Sequence, residues 1–201
     1  MSDTHWNERY ASADRLFSAK PDATLEELAG ALPPGRALDL GAGEGRNSLW
    51  LAGRGWRVTA VDLSDVALSR LAGQAAAQGL EVTTEVRDMN GFLAGGEQFD
   101  LLVLANLHPD PAERAELFSR SAAAVAPGGH LFLVGHHIDS LGKAGPPRPE
   151  RLYTEDLLKD AFPGLELLRL ERREGVHGDR DEPVTDIVVW AVRPADTGAA
   201  S

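Results

Sequence analysis

The sequence predicts one α/β domain built on a doubly wound, Rossmann-like sheet, and three observations predict it. From Arg36 onward, short apolar runs rich in Val and Leu alternate with amphipathic stretches, the rhythm of parallel strands covered by helices on both faces. A glycine turn, Gly41-Ala42-Gly43-Glu44-Gly45, joins the first apolar run to the first amphipathic stretch. The length, 201 residues, suffices for one well-buried core and is short for two.

In chain order, the strands are expected at Ala37–Leu40, Arg57–Val61, Glu81–Arg87, Phe99–Ala105 and His130–Gly135, bounded by Gly, Pro or Asp. Between them, Asn47–Arg54 reads as a helix closed by Gly55, and Asp65–Gln78 as one opened by Ser64 and closed by Gly79. Pro111–Val125 reads as a third, started by Asp110 as its cap with Pro in its first turn, and ended by Pro127-Gly128-Gly129. Ile138–Arg151 holds three prolines and two glycines and reads as a surface loop leading to a helix that Thr154 caps. Leu165–Leu170 and Ile187–Val192 read as an antiparallel pair at the sheet edge, joined by the charged stretch Glu171–Asp186. The last residues, 195–201, read as a frayed tail.

The formal net charge of −11 argues against partners held by phosphate neutralisation, so no nucleic acid is expected. Without cysteine the chain has no disulfide, thiolate metal site or thiol nucleophile. The polar N-terminus lacks the apolar core of a signal peptide, and no apolar run approaches bilayer length. A cytoplasmic protein with no membrane partner is the expectation; monomer and dimer stay open.

The chemistry is concentrated in Leu38-Asp39-Leu40-Gly41-Ala42-Gly43-Glu44-Gly45-Arg46-Asn47, a strand ending in a glycine loop that feeds a helix. Glycine suits a backbone that a ligand approaches closely or that turns with positive φ. The second strand ends in Val61-Asp62-Leu63, which puts a carboxylate about 20 residues downstream, where a nucleoside ribose lies in such folds. A carboxylate can accept both ribose hydroxyl hydrogens.

Two details separate a dinucleotide from S-adenosylmethionine. The loop reads G-x-G-x-G, and Arg46 stands where the dinucleotide fingerprint carries its last glycine. Asp39 and Glu44 are acids beside the loop; they would repel a pyrophosphate and favour the ammonium and sulfonium of S-adenosylmethionine.

With its glycine loop and downstream acid, LDLGAGEGRNSLWLAGRGWRVTAVDLS resembles the first two motifs of class I methyltransferases, most of all the small tellurite-resistance and thiopurine-type branch, from about Trp6 to Val192. The resemblance implies seven strands with the last antiparallel, an N-terminal helical cap over residues 1–35, and a cofactor-binding domain over 36–194. It further implies that Gly41, Gly43 and Gly45 line the methionine moiety, that Asp62 binds the ribose, and that Leu63 packs beside the adenine. Asp39 and Arg46, flanking the loop, are counted with the cofactor site. Asp88 and Met89 would bracket the adenine, Asn106 and Leu107 would offer backbone near the sulfonium, and Trp6 and Tyr10 would form the inner face of the cap. The cofactor it implies is S-adenosylmethionine and the product S-adenosylhomocysteine.

Several of these residues have plainer readings. Trp6 and Tyr10, at i and i+4, also suit simple helix docking. Asp88 also suits a turn, and Asp62 a helix cap. His108 and His136 fall at strand ends and are the candidates for the acceptor side; adjacent His136 and His137 point to opposite faces if extended, so no metal is expected. Arg148, Arg151, Arg172, Arg173 and His177 read either as solvated charges or as an anion-binding edge of the acceptor pocket.

Methyl transfer is an in-line displacement that needs alignment and exclusion of water, and a base only where the acceptor must lose a proton. No base is legible, which favours a thiol or other soft nucleophile. Ala105-Asn106-Leu107-His108-Pro109 lacks the Asn/Asp-Pro-Pro-aromatic run of the amino-methylating enzymes that the chain otherwise resembles, and with the acidic charge this favours a small-molecule acceptor. The alternatives are a non-catalytic S-adenosylmethionine-binding module and an NAD-dependent oxidoreductase.

Overall fold

The computed structural model describes residues 3–175 and 183–195. His177 and all but the first residue of the tail expected over 195–201 lie outside the described residues. Seven strands are described: β1 (Arg36–Leu40), β2 (Arg57–Asp62), β3 (Val82–Val86), β4 (Phe99–Ala105), β5 (Val125–His136), β6 (Glu166–Gly175) and β7 (Val184–Val192). They form one mixed sheet in the order β3-β2-β1-β4-β5-β7-β6. β1, β2 and β3 pair in parallel, and β7 runs antiparallel to both β5 and β6. This is the α/β, Rossmann-like sheet with an antiparallel last strand that the sequence predicts. Within it the chain forms two compact units, one running to Gly95 and including Val103–Ala105, the other made of Gly96–Leu102 and the chain from Asn106 onward.

In the first unit, the buried β1 and β2 pack under α3 (Arg46–Gly53) and α4 (Asp65–Gln78). α4 has the predicted bounds because both signals operate: the Ser64 hydroxyl accepts the Ala67 N–H, and Gly79 closes the helix at φ 66°. Its Leu68 and Leu71 bury against Ala60, with Ala42, Leu49 and Val82 around them. Two N-terminal helices, α1 (Asp3–Ala11) and α2 (Ala23–Ala29), precede the sheet, and a single turn, α5 (Met89–Leu93), follows β3.

In the second unit, α6 (Pro111–Ala123) ends two residues earlier than predicted and β5 starts five earlier. The reason is pairing: Gly128 N–H donates to the Arg193 carbonyl and Arg193 N–H to that of Gly129, so the Pro-Gly-Gly stretch is part of the strand and not a break before it. β6 likewise runs through Glu171–Gly175, which the sequence assigns to a connection; an edge strand tolerates charged side chains. Asp110 precedes α6 without capping it by its side chain, because its carboxylate is engaged by Arg151. The 138–151 loop is pinned and not merely a surface excursion. It contains two short 3-10 turns, Ile138–Ser140 and Pro149–Arg151, and the Ser140 hydroxyl donates to the Thr185 carbonyl at 2.6 Å and accepts its N–H at 2.9 Å. Thr154 caps α7 (Glu155–Leu158) as expected.

Among the described residues no helix is long and apolar enough to cross a membrane.

Candidate functional site

The glycine loop leaves the carboxyl end of β1, the end at which parallel sheets bind ligands. Gly41, Gly43 and Gly45 all have positive φ, at 67°, 54° and 80°. The structure adds what crowds two of them. A Cβ on Gly43 would lie 2.6 Å from the Tyr10 hydroxyl, and one on Gly45 would lie 2.2 Å from Leu71 of α4. Gly45 therefore serves helix packing as well as the turn: it is the left-handed residue from which α3 starts.

Three acids surround this loop and do different work. Asp62, at the end of β2, accepts the Gly43 N–H through Oδ2 at 2.8 Å and the Ser64 N–H through Oδ1 at 2.9 Å. Burial raises its pKa while the backbone N–H groups of Ser64 and Gly43 pull it down. Those two bonds leave lone-pair capacity on a carboxylate, which has about four acceptor sites. Asp39 is buried in β1 and accepts the Ser48 hydroxyl at 2.6 Å. Burial pushes it up to about 6, against the Ser48 bond and the Arg46 charge, both of which lower it. A cationic or proton-donating group beside the loop would relieve both acids. S-adenosylmethionine brings an ammonium, a sulfonium and two ribose hydroxyls, so the donor set of the ligand fits the acceptors of the loop.

Glu44 is corrected by the structure. Its carboxylate is spent inside the chain: Oε2 accepts the Leu16 N–H at 2.9 Å, and Oε1 pairs with Arg70 at 2.9 Å. It latches the segment after α1 rather than biasing the loop toward a cation. Asn47 assists, accepting the Asp22 N–H at 3.0 Å.

Of the predicted cap residues, Tyr10 is buried over Gly43, and burial raises its pKa. Trp6 is half-buried, 6.0 Å from the Tyr10 ring, with the Arg9 guanidinium over it at 4.8 Å. Asn7 accepts the Ser64 hydroxyl at 2.6 Å, bringing α1 to the residue that caps α4, two places after Asp62. Leu63 and Met89 are half-buried. Asp88 is exposed and caps α5, its Oδ1 accepting the Gly91 N–H at 2.9 Å, so the plain turn role exists whether or not it meets an adenine.

The second unit carries a stack of rings at the ends of β4 and β5. Asn106 is the one non-glycine residue with positive φ, 56°, among those described, and its N–H donates to the Val134 carbonyl. Leu107 offers its carbonyl to the Tyr153 hydroxyl at 2.6 Å. His108 lies 5.2 Å from both His136 and Tyr153, stacked nearly parallel to the former. A carbonyl can only accept, so the contact of His108 Nδ1 with the Arg151 carbonyl at 3.1 Å fixes the Nδ1–H tautomer. Nε2 then accepts the His136 N–H at 3.4 Å. Burial lowers the His108 pKa to about 4, against the pull of the Arg151 carbonyl. Both ring nitrogens are engaged, which makes His108 a wall of this cluster.

His136 Nδ1 meets Asp186 Oδ1 at 2.8 Å, across the β5–β7 pairing that sets the two residues side by side. Asp186 was not singled out from the sequence. His137 points elsewhere, receiving the Asp139 N–H on Nδ1 and meeting Glu155 through Nε2 at 3.2 Å. Arg172 pairs with Glu155 and Asp139, Arg173 with Glu171, and the buried Arg151 with Asp110, which also draws Arg148 to 3.5 Å. These cations are used within the chain. Among the described residues no three His, Cys, Asp or Glu side chains gather in a metal-holding group.

The fold and loop chemistry agree with the comparisons to known proteins. A family model described as a methyltransferase domain matches residues 37–129. Over that segment the chain is similar to a methyltransferase domain. The particular relatives are more varied. The chain is 33% identical over 103 residues to a 2-heptyl-1-hydroxyquinolin-4(1H)-one methyltransferase of Mycobacteroides abscessus, covering 50% of this chain and 45% of that one. It is 26% identical over 156 residues to hemagglutinin 1 of Eikenella corrodens, covering 77% and 51%. The chain thus spans about half the length of these curated relatives. Its fold is similar to that of TehB from Haemophilus influenzae, with a TM-score of 0.75, 20% identity, and coverage of 94% of this chain and 67% of that one.

Proposed function

We propose that this protein is an S-adenosylmethionine-dependent methyltransferase that acts on a small-molecule acceptor. The observation that carries the reading is the pair of buried acids, Asp39 and Asp62, set against a positive-φ glycine loop with a neutral hydroxyl and backbone N–H groups as their partners. Bound there, the cofactor supplies a methyl group on a sulfonium, ready for in-line displacement. In this reading Asp62 holds the ribose, and Gly41, Gly43 and Gly45 give the methionine moiety room against the backbone. Leu63, Asp88 and Met89 flank the adenine, Asp39 and Arg46 set the charge beside the loop, and Trp6 and Tyr10 close over it from α1. Asn106 and Leu107 supply backbone, and His108 and His136 belong to the acceptor side. Residues 1–35 act as the cap and 36–194 as the cofactor-binding domain.

A small acceptor is supported by the net charge of −11 and by a relative named for methylating a hydroxyquinolinone. The absence of cysteine suits a cytoplasmic enzyme. The likeness to TehB supports the tellurite-resistance branch at the level of fold. Calorimetric titration with S-adenosylmethionine, S-adenosylhomocysteine and NAD tests the reading: the first two bind and NAD does not. Binding of NAD alone would replace it with an oxidoreductase, and cofactor binding without turnover of any acceptor would leave a binding module.

A further inference from the structure

We infer that Glu44 is a positioning residue for the cofactor: its carboxylate holds the N-terminal segment so that Tyr10 of α1 stays seated on the glycine loop. This rests on the S-adenosylmethionine reading above and adds a residue that acts on the cofactor at one remove. Every contact involved lies within the first unit. Glu44 stands between Gly43 and Gly45, so its backbone belongs to the loop while its side chain reaches the segment that follows α1. Oε2 accepts the N–H of Leu16 at 2.9 Å and that of Phe17 at 3.4 Å, and Oε1 pairs with Arg70 of α4 at 2.9 Å. The Glu44 side chain is only 5% exposed, and these partners offset the cost of burying its charge.

α1 cannot hold this place by itself. It spans nine residues, and a helix that short is marginal in water without packing. Two of its anchors lie along α4: Ser64, the cap of that helix, donates to Asn7 at 2.6 Å, and Arg15, beyond α1, donates to Gln74 at 2.6 Å. Glu44 differs from both in being part of the glycine loop itself. Tyr10 is buried, with its hydroxyl so close to Gly43 that a Cβ there would lie 2.6 Å from it. Its ring meets that of Phe17 edge-on at 6.1 Å, which joins the phenol to one of the two residues whose N–H groups Glu44 accepts. Burial, with the charges of Asp62 and Glu44 adding to it, pushes the Tyr10 phenol up, so it stays a neutral hydroxyl. Glu44 thus acts on a ligand of the loop through Phe17 and then Tyr10. The coupling runs both ways: by whatever factor the clamp favours the bound ligand, the bound ligand favours the clamp.

Two measurements test this. In the wild type, hydrogen exchange at the Leu16 and Phe17 amides should slow about 10-fold when S-adenosylhomocysteine is added to saturation. Calorimetric titration of wild type, E44Q, Y10A and the double variant E44Q/Y10A forms the second arm, with urea unfolding to show that each is folded. E44Q keeps the size of the side chain and removes the charge that Arg70 and the two N–H groups share. It should weaken S-adenosylhomocysteine binding about 10-fold in the wild-type background and less than about 2-fold in Y10A, because Glu44 acts through Tyr10. A residue that merely supports the fold would cost the same factor in both backgrounds. Equal factors, or E44Q binding as tightly as wild type, overturn the inference. Binding by the wild type with no slowing at Leu16 and Phe17 overturns it too, and that arm needs no variant to fold. A wild type that binds no S-adenosylhomocysteine overturns the methyltransferase reading and this inference with it; binding without the coupling overturns this inference alone.

Discussion

The two halves of the molecule build chemistry in opposite ways. In the first unit the chemistry is local and acidic: loop, Asp39 and Ser48 lie within ten residues on β1 and α3, and Asp62 is at the end of the adjacent strand. In the second it is dispersed and aromatic: His108, His136, the neighbouring Arg151 and Tyr153, and Asp186 come from four separate places in the sequence and meet through strand register and the pinned 138–151 loop. A cradle for a cofactor can be encoded in one contiguous turn, whereas the surface that meets an acceptor depends on how distant segments dock. The first is readable from sequence; the second is not.

The largest expected effect breaks the first half alone. Gly45→Ala imposes a left-handed alanine and drives its Cβ into Leu71. Strain of about 1–2 kcal/mol and overpacking of about 1–3 kcal/mol should together lower unfolding stability by roughly 2–5 kcal/mol, read by urea denaturation. A loss under 1 kcal/mol would mean that the loop re-forms around the side chain.

The pH dependence of stability sharpens the contrast, because the two halves oppose each other. Asp39 has its carboxyl raised to about 6, so the folded state holds a proton that the unfolded state releases. Its contribution is fully present below pH 3.8 and is lost as pH rises through 6. His108, lowered to about 4, works the other way: its contribution is present above pH 6.5 and is lost as pH falls through 4. Each displacement is worth about 3 kcal/mol, and in the wild type the two offset each other. D39N should therefore gain stability relative to wild type as pH rises from 4 to 6, and H108Q should lose it over the same range. Parallel curves for either variant and wild type would remove that assignment.

Asp62→Ala tests the cradle's ligand. Loss of charge-assisted bonds to two ribose hydroxyls should weaken S-adenosylhomocysteine binding by roughly 1.5–3 kcal/mol, about 10- to 150-fold. The smallest effect belongs to the second half: Tyr153→Phe removes one bond to the Leu107 carbonyl and should cost about 1 kcal/mol of stability with cofactor affinity unchanged.

The same contrast explains what the sequence disclosed. α4 and β4 have the bounds read from their caps and apolar runs, because those signals are contained in the elements themselves. The start of β5 and the length of β6 are not legible because pairing decides them, Gly128 and Gly129 with Arg193 just past β7 and Glu171–Gly175 with β7 itself, and no residue in either strand announces its partner. Glu44 and Asp110 were assigned from their neighbours in sequence, yet each is claimed from afar, by Leu16 and Arg70 in one case and by Arg151 in the other. Asp186 was hidden for the same reason. It lies 50 residues from His136, and only the register of β5 against β7, strands separated in sequence by the 138–151 loop, α7 and β6, brings them together.

The central claim, that the glycine loop and its acids hold S-adenosylmethionine, is met most directly by a crystal structure of the complex with S-adenosylhomocysteine. The account predicts both ribose hydroxyls within hydrogen-bond distance of the Asp62 carboxylate and the methionine backbone over Gly41–Gly45. A ligand seated with its ribose away from Asp62 would contradict it.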